Sequence, residues 1–396
     1  MARRQDIDAL RGLMLALMTL THLPTRFAAY VGQPFGFVSS AEGFVFVSAF
    51  MAGWIYGQRA HAKGLAAMRR ALWQRALKLY ACQVALLLFL LFVVTPIARS
   101  TGQTAITNLA SFFDQDPRTA LLSGMALVYN PPLLDILPMY VLFVAATPVL
   151  LTVALRRGWW PIFGISAVLW MAAQFGAGQA LYDAVAAAAH FGLPYRETGA
   201  FSFLAWQLMW NAGLWLGSIK ANAHAPALAA PRWAVAPALV VATMFLIWRH
   251  AVGPVPFPLH SASELNELFD KWHLAPLRLL DFAALLVLVL HYGSRLAGAI
   301  HSAFFERLGA ASLPVFCAHL VICLLALSIV GDQYQQQNWG ADAVLLIGTF
   351  AALYAVAEFA LRTSVRATAD LGRRPAAELS SRTVRSPIST VRSPSR

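Results

Sequence analysis

"RRALWQRALKLYACQVALLLFLLFVVTPI", residues 69–97, decides what kind of fold this chain adopts. Arg69, Arg70, Arg75 and Lys78 crowd its start, and from Leu79 to Ile97 no charged side chain appears. A run of that length matches the ~20 apolar residues that a helix needs to cross a hydrocarbon core about 30 Å thick. Similar runs recur along all 396 residues, of which 59% are hydrophobic and only 12% charged. A soluble domain carries roughly twice that charge fraction. The chain reads as an all-α, polytopic integral membrane protein.

Working outward from this run, the sequence predicts about ten transmembrane helices surrounding a central channel. They fall near 9–27, 37–57, 71–97, 134–155, 159–178, 201–219, 233–251, 278–297, 309–330 and 341–362. Long connections are expected over 98–133, 179–200 and 252–277. Residues 1–366 form one transmembrane domain, followed by a basic, Ser/Arg/Pro-rich tail, 367–396, expected to be disordered. No cleavable signal peptide is expected after "MARRQDID". Cys82, Cys317 and Cys323 sit inside apolar runs and read as small core residues.

Ten spans put both termini on one side of the bilayer. Most of the 30 Lys and Arg fall on that side, in the 58–78 connection, the short turns and the tail. The positive-inside rule therefore predicts cytoplasmic termini, and in a bacterium the inner membrane. The net charge of +12 follows from this anchoring and from attraction to anionic lipid, with no nucleic-acid partner implied. The absence of an internal repeat counts against a transporter built from inverted halves.

The first span, "DALRGLMLALMTLTH" (8–22), carries ionisable groups where lipid is expected. At about 100° per residue Arg11, Leu15, Met18 and His22 share a stripe; Arg11 and His22 lie within about 20° of each other and about 16 Å apart along the axis. Ionisable groups at that depth mark functional pathways unless they reach an interface. The plainer account has Arg11 snorkelling inward and His22 reaching the outer surface. Other spans carry similar groups: Glu42 and Ser48 in the second, Arg75 and Lys78 at the inner end of the third. Asp135 stands at the mouth of the fourth, Asp270, Lys271, His273, Arg278 and Asp281 surround the start of the eighth, and Ser312 and His319 lie inside the ninth. Basic groups at the inner mouth with histidines and carboxylates further out suit an anionic donor entering from the cytoplasm and chemistry near the outer face. No metal cluster, Gly-rich phosphate loop or Ser–His–Asp signature stands out, and no tightly bound cofactor is expected.

These segments resemble the OpgC family of membrane acyltransferases that modify osmoregulated periplasmic glucans, and more distantly the wider acyltransferase 3 family. "DALRG…H" resembles the opening signature of both, while "AEGFVFVSAF", "LDILPMYVL", "AWQLMW", "DKWHLAPLRLLDFAALL" and "LGAASLPVFCAHL" resemble the OpgC family in order and spacing over about residues 6–330. The resemblance implies transfer of an acyl group, succinyl or acetyl, from cytoplasmic acyl-coenzyme A to a sugar hydroxyl on the periplasmic side. It matches His22 to the catalytic histidine, Arg11 to the essential arginine of the first helix, and Arg75 to a basic residue that holds donor phosphates. One departure is Ala49 between Ser48 and Phe50, where the family has glycine.

On this reading Arg11, Arg75 and Lys78, with Ser48 nearby, bind the donor, and His22 takes the hydroxyl proton. Glu42, Asp135 or Asp270 orients His22 or holds the sugar. Lys271, Arg278 or His319 serves the acceptor or the oxyanion, and Lys271 and Arg278 also suit a succinyl carboxylate. Direct transfer and an acyl-histidine intermediate both remain open. Two rivals stand beside this reading: an O-acetyltransferase for lipopolysaccharide, exopolysaccharide or peptidoglycan, and a transporter with a buried charge relay.

Overall fold

The computed structural model describes residues 5–222, 228–252, 267–300, 302–331 and 339–373, and these contain helices and no strand. The expected tail beyond residue 373 and the stretch 253–266 lie outside the described residues.

Every predicted span is helical. The opening helix α1 runs Gln5–His22. Next, α2 (Ser40–Phe89) continues through a π turn and Thr95–Thr101 into one run of 62 residues. Gly64 breaks this run with φ 81° and ψ 168°, conformations open to glycine alone, so the second and third predicted spans are two arms of one kinked rod. After it come α3 (Ile136–Arg157), α4 (Trp160–Gln174), α5 (Ala177–Ala189), α6 (Phe203–Ala221) and α7 (Arg232–Val252). The remainder is α8 (Pro276–Ile300), the short α9 (Ala303–Ala310), α10 (Ser312–Ile329) and α11 (Trp339–Arg373).

Six of these elements are long and apolar enough to cross a membrane, or seven if the pair α4–α5, bent by 82°, counts as one span. The shortfall from ten has physical causes. The two arms of α2 register as one element, α1 carries Asp6, Asp8 and Arg11, and Gln207, Asn211 and Lys220 dilute α6. Two expected connections also differ from plain loops. The 98–133 stretch folds into Thr104–Leu109, Ser111–Gln115 and Pro117–Met125, and α5 occupies much of 179–200. The fifth span ends at Gln174 because Gly176, in the left-handed region, turns the chain sharply into α5.

Helices that share an apolar solvent gain little from hydrophobicity and instead pack through small residues that let backbones touch. Gly53 and Gly57 of α2 and Gly213 and Gly217 of α6 line such a seam: a methyl at Gly53 would overlap the Leu214 carbonyl, and one at Gly217 the Phe50 carbonyl. Ala49, the departure from the family pattern, is fully buried, and its methyl lies where a Gly213 side chain would have to go. It therefore serves the α2–α6 seam. A second seam joins α1 to α9, where Gly12 lies against the Phe305 carbonyl and Gly309 against that of Asp8. Polar glue fastens α4 to α6. Ser166 donates to Gln207 (2.6 Å), the Gln207 amide donates to the Ser166 carbonyl (2.8 Å), and the Asn211 amide donates to Ser166 Oγ (3.2 Å), all buried. These seams fasten α2 to α6, α1 to α9 and α4 to α6 within the protein interior.

Candidate active site

The α1 stripe faces that interior. Leu15 and Met18, between Arg11 and His22, are 0% and 3% exposed, so the stripe is not turned to lipid. At the N-terminal end of α1, Arg11 donates to Ser312 Oγ at the start of α10 and lies 3.8 Å from Asp8. Arg11 and Arg75 line one cavity of about 20 Å³, together with Tyr140, Ser312, Phe44 and Phe316. The Arg75 guanidinium lies against the Tyr140 hydroxyl and near Tyr56. Two cations from separate helices thus share a space that holds no more than a water. Lys78 is exposed and off this cavity; buried Ser48 is also off it, and its hydroxyl has no hydrogen-bond partner among the described residues.

The cavity ends at an aromatic wall. Phe44 and Phe316 stack at 5.6 Å and 17°, and the far side of Phe316 meets His319 edge-on at 5.0 Å. Behind it lies the imidazole pair. His22 Nδ1 is 3.3 Å from His319 Nε2, with the rings 18° from parallel. His319 is fully buried and His22 partly so. Because His319 occupies Nδ1, Nε2 is the nitrogen of His22 left for a substrate proton. The other ring nitrogen of His319, Nδ1, is buried with no hydrogen-bond partner among the described residues.

The carboxylates expected to orient His22 are occupied elsewhere. Glu42 accepts from the Ser39 backbone (3.0 Å) and hydroxyl as a capping box, and its other oxygen accepts from Arg278 at 2.8 Å. Arg278 also donates to the carbonyls of Phe269 (3.0 Å) and Phe37, so this buried pair, 3% and 0% exposed, knits the start of α2 to α8. Breaking one partner would strand the other charge, which makes the pair a structural clasp. Asp281 accepts the Phe37 N–H at 2.8 Å. Asp135 accepts the Ala200 N–H at 3.2 Å. Asp270 bonds His273 Nδ1 at 2.5 Å and the N–H groups of Trp272 and His273.

Lys271 is different. Its ammonium sits over the rings of Trp272 (5.1 Å) and Phe201 (5.7 Å), and its charge acts on His22, Asp135, Glu42 and Arg278. Burial pulls it below the ordinary lysine range, with Glu42 opposing. Of the residues singled out from sequence, His22 and His319 therefore meet at the C-terminal end of α1, Arg11 and Arg75 at the other, and Lys271 lies over Trp272 and Phe201. Tyr140, Phe44, Phe316 and Trp272 escaped that reading, since aromatic residues in apolar runs carry no signal of their own.

Together these features define an α-helical membrane protein whose interior holds a cationic pocket lined by Phe316 and an imidazole pair that the same Phe316 touches. The chain belongs to the OpgC family, whose model, described as OpgC protein, matches residues 3–364. That membership carries acyltransferase activity of the glucan-modifying kind. Neither the curated proteins nor the solved structures gave a match.

Proposed function

We propose that this chain is an O-acyltransferase of the bacterial inner membrane that moves an acyl group, succinyl foremost, from cytoplasmic acyl-coenzyme A to a hydroxyl of a periplasmic glucan. It crosses the membrane ten times: the two arms of α2, α1 and α6 add to the elements that pass on length and hydropathy alone. Both termini are cytoplasmic, as the distribution of Lys and Arg favours.

The observation that carries this reading is the single interior stripe of α1. One of its ends shares a cavity with Arg75, and the other pairs with His319. Donor phosphates meet Arg11 and Arg75 as charge-assisted partners, with Lys78 at the mouth. The pantetheine arm follows Leu15 and Met18 over the ~16 Å to His22, once Phe44 and Phe316 part. His22 Nε2 accepts the proton of the sugar hydroxyl while its oxygen attacks the thioester carbonyl, and Lys271 faces the developing oxyanion. Collapse breaks the carbon–sulfur bond. The thiolate takes the proton from His22, leaving an ester and free coenzyme A.

Purified protein given succinyl-coenzyme A and a gluco-oligosaccharide should release thiol and form succinyl half-esters detectable by mass spectrometry. His22→Gln should lower kcat by about 10²–10⁴. Near-normal transfer by that variant would overturn the reading. Activity with acetyl-coenzyme A on another envelope polysaccharide would point to the acetyltransferase rival, and substrate movement without thiol release to a transporter.

A further inference from the structure

The turn that carries Lys271 is held far more firmly than a loop between two helices requires. The Trp272 carbonyl accepts from the Ser202 N–H (3.0 Å) and the Trp206 indole (3.1 Å). The Leu274 carbonyl accepts from the Trp170 indole (3.0 Å), and that of His273 from Gln174 (2.8 Å). Arg278 and the Leu277 N–H hold Phe269 and Leu268 from the other side. Three helices, α4, α6 and α8, thus fix one short backbone segment, and within it Leu274 adopts φ 46°, a left-handed conformation unusual for a leucine. Strain of this kind persists only where the surroundings over-determine it, and it concentrates at binding and catalytic sites.

What the turn presents is an indole. Trp272 is 41% exposed, although the backbone beneath it is held on both sides. Phe201 braces it edge-on at 5.2 Å and 86°, and Phe201 is braced in turn by Trp206 at 4.8 Å. The Lys271 ammonium lies over the same indole, 5.1 Å from its centroid. The half-exposed Asp270–His273 pair supplies hydroxyl-bonding groups at its rim.

We propose that Trp272 is the acceptor platform: its indole stacks on the apolar face of a pyranose ring beside the Lys271 ammonium. The assignment rests on the acyl-transfer reading above and names its acceptor subsite. A rigid aromatic plane suits a sugar because one face of the ring exposes C–H groups while its hydroxyls project sideways toward polar partners. Fixing the plane in advance lowers the entropy lost when the sugar docks.

The test is steady-state kinetics of purified protein with succinyl-coenzyme A and a gluco-oligosaccharide. Trp272→Leu, which keeps apolar bulk, should raise KM for the oligosaccharide roughly tenfold or more, with kcat at saturating sugar and KM for the donor within about twofold. Trp272→Phe should recover most of the loss. Trp160→Ala, which removes an indole 87% exposed at the start of α4, serves as control and should leave the sugar KM alone. Should Trp272→Leu not fold, Trp272→Phe decides, since a smaller ring should still raise the sugar KM about threefold. An unchanged sugar KM in the folded variant would overturn the platform while leaving acyl transfer standing. No thiol release by the wild-type protein would overturn acyl transfer, and the platform with it.

Discussion

A histidine at the end of a membrane helix is informative only through what it faces. His22 faces His319, and through that contact one ring nitrogen is fixed and the other freed. Removing the partner should misorient the base and not destroy it. His319→Leu is expected to lower kcat on the order of a hundredfold with donor KM unchanged, whereas His319→Gln, which can still bond Nδ1, should retain most activity. Combined with His22→Gln, the leucine substitution should add nothing further, because the two residues act as a unit. At the other end of the stripe, Arg75→Ala should raise donor KM roughly ten- to hundredfold, the loss of one charged hydrogen-bond partner. Arg75→Lys should recover only part of that, since an ammonium lacks the planar fork. Thiol-release kinetics check both. Arg11 and His22 were legible in the sequence because ionisable groups on one helical stripe stand out in an apolar run. Glu42 was legible as buried and charged, but its partner Arg278 lies 236 residues away, and no local pattern says that the two neutralise each other.

Helices here touch through glycine, so helix contacts should fail by overpacking. Gly217→Val places a branched side chain against the Phe50 carbonyl and should destabilise the α2–α6 seam on the order of 3 kcal/mol. Thermal melting in detergent measures this. The turn before α8 has a pH window. The Asp270 hydrogen bond raises His273 above the ordinary imidazole value, with burial opposing. Burial works against the Asp270 carboxylate, yet hydrogen bonds from His273 and from the Trp272 N–H still hold it below the ordinary range. The imidazolium contribution is present below the unfolded histidine pKa and lost as pH rises through the raised one. The carboxylate contribution is lost as pH falls through the depressed value. Amide exchange over 267–275, corrected for intrinsic rate, should therefore show weaker protection at about pH 8.5 than at about pH 5.5, and His273→Ala should flatten the difference. Helix positions could be read from apolar runs to within a few residues. The bend between α4 and α5 and the helical course of 104–125 could not, because both depend on neighbours distant in the chain.

At the scale of the molecule, the distribution of Lys and Arg predicts that a fluorescent protein fused to the C-terminus will fold and fluoresce in the cytoplasm, and that alkaline phosphatase fused there will stay inactive. The opposite pattern would reverse the proposed direction of transfer. Ten spans follow from hydropathy only when α1 and α6 are admitted despite their polar side chains. Those side chains, Arg11, Gln207 and Asn211 among them, bond to other helices in the interior. A function that bridges two compartments raises a hazard of its own, and the stacked Phe44 and Phe316 answer it. On the proposed reading a voltage stands across the membrane, and a permanent water-filled bore would short-circuit it; the stacked rings of Phe44 and Phe316 would then be an apolar plug that a donor arm parts and refills. Phe316→Ala should therefore reveal itself first as a proton leak in reconstituted vesicles, a dye-detectable current that flows without any donor.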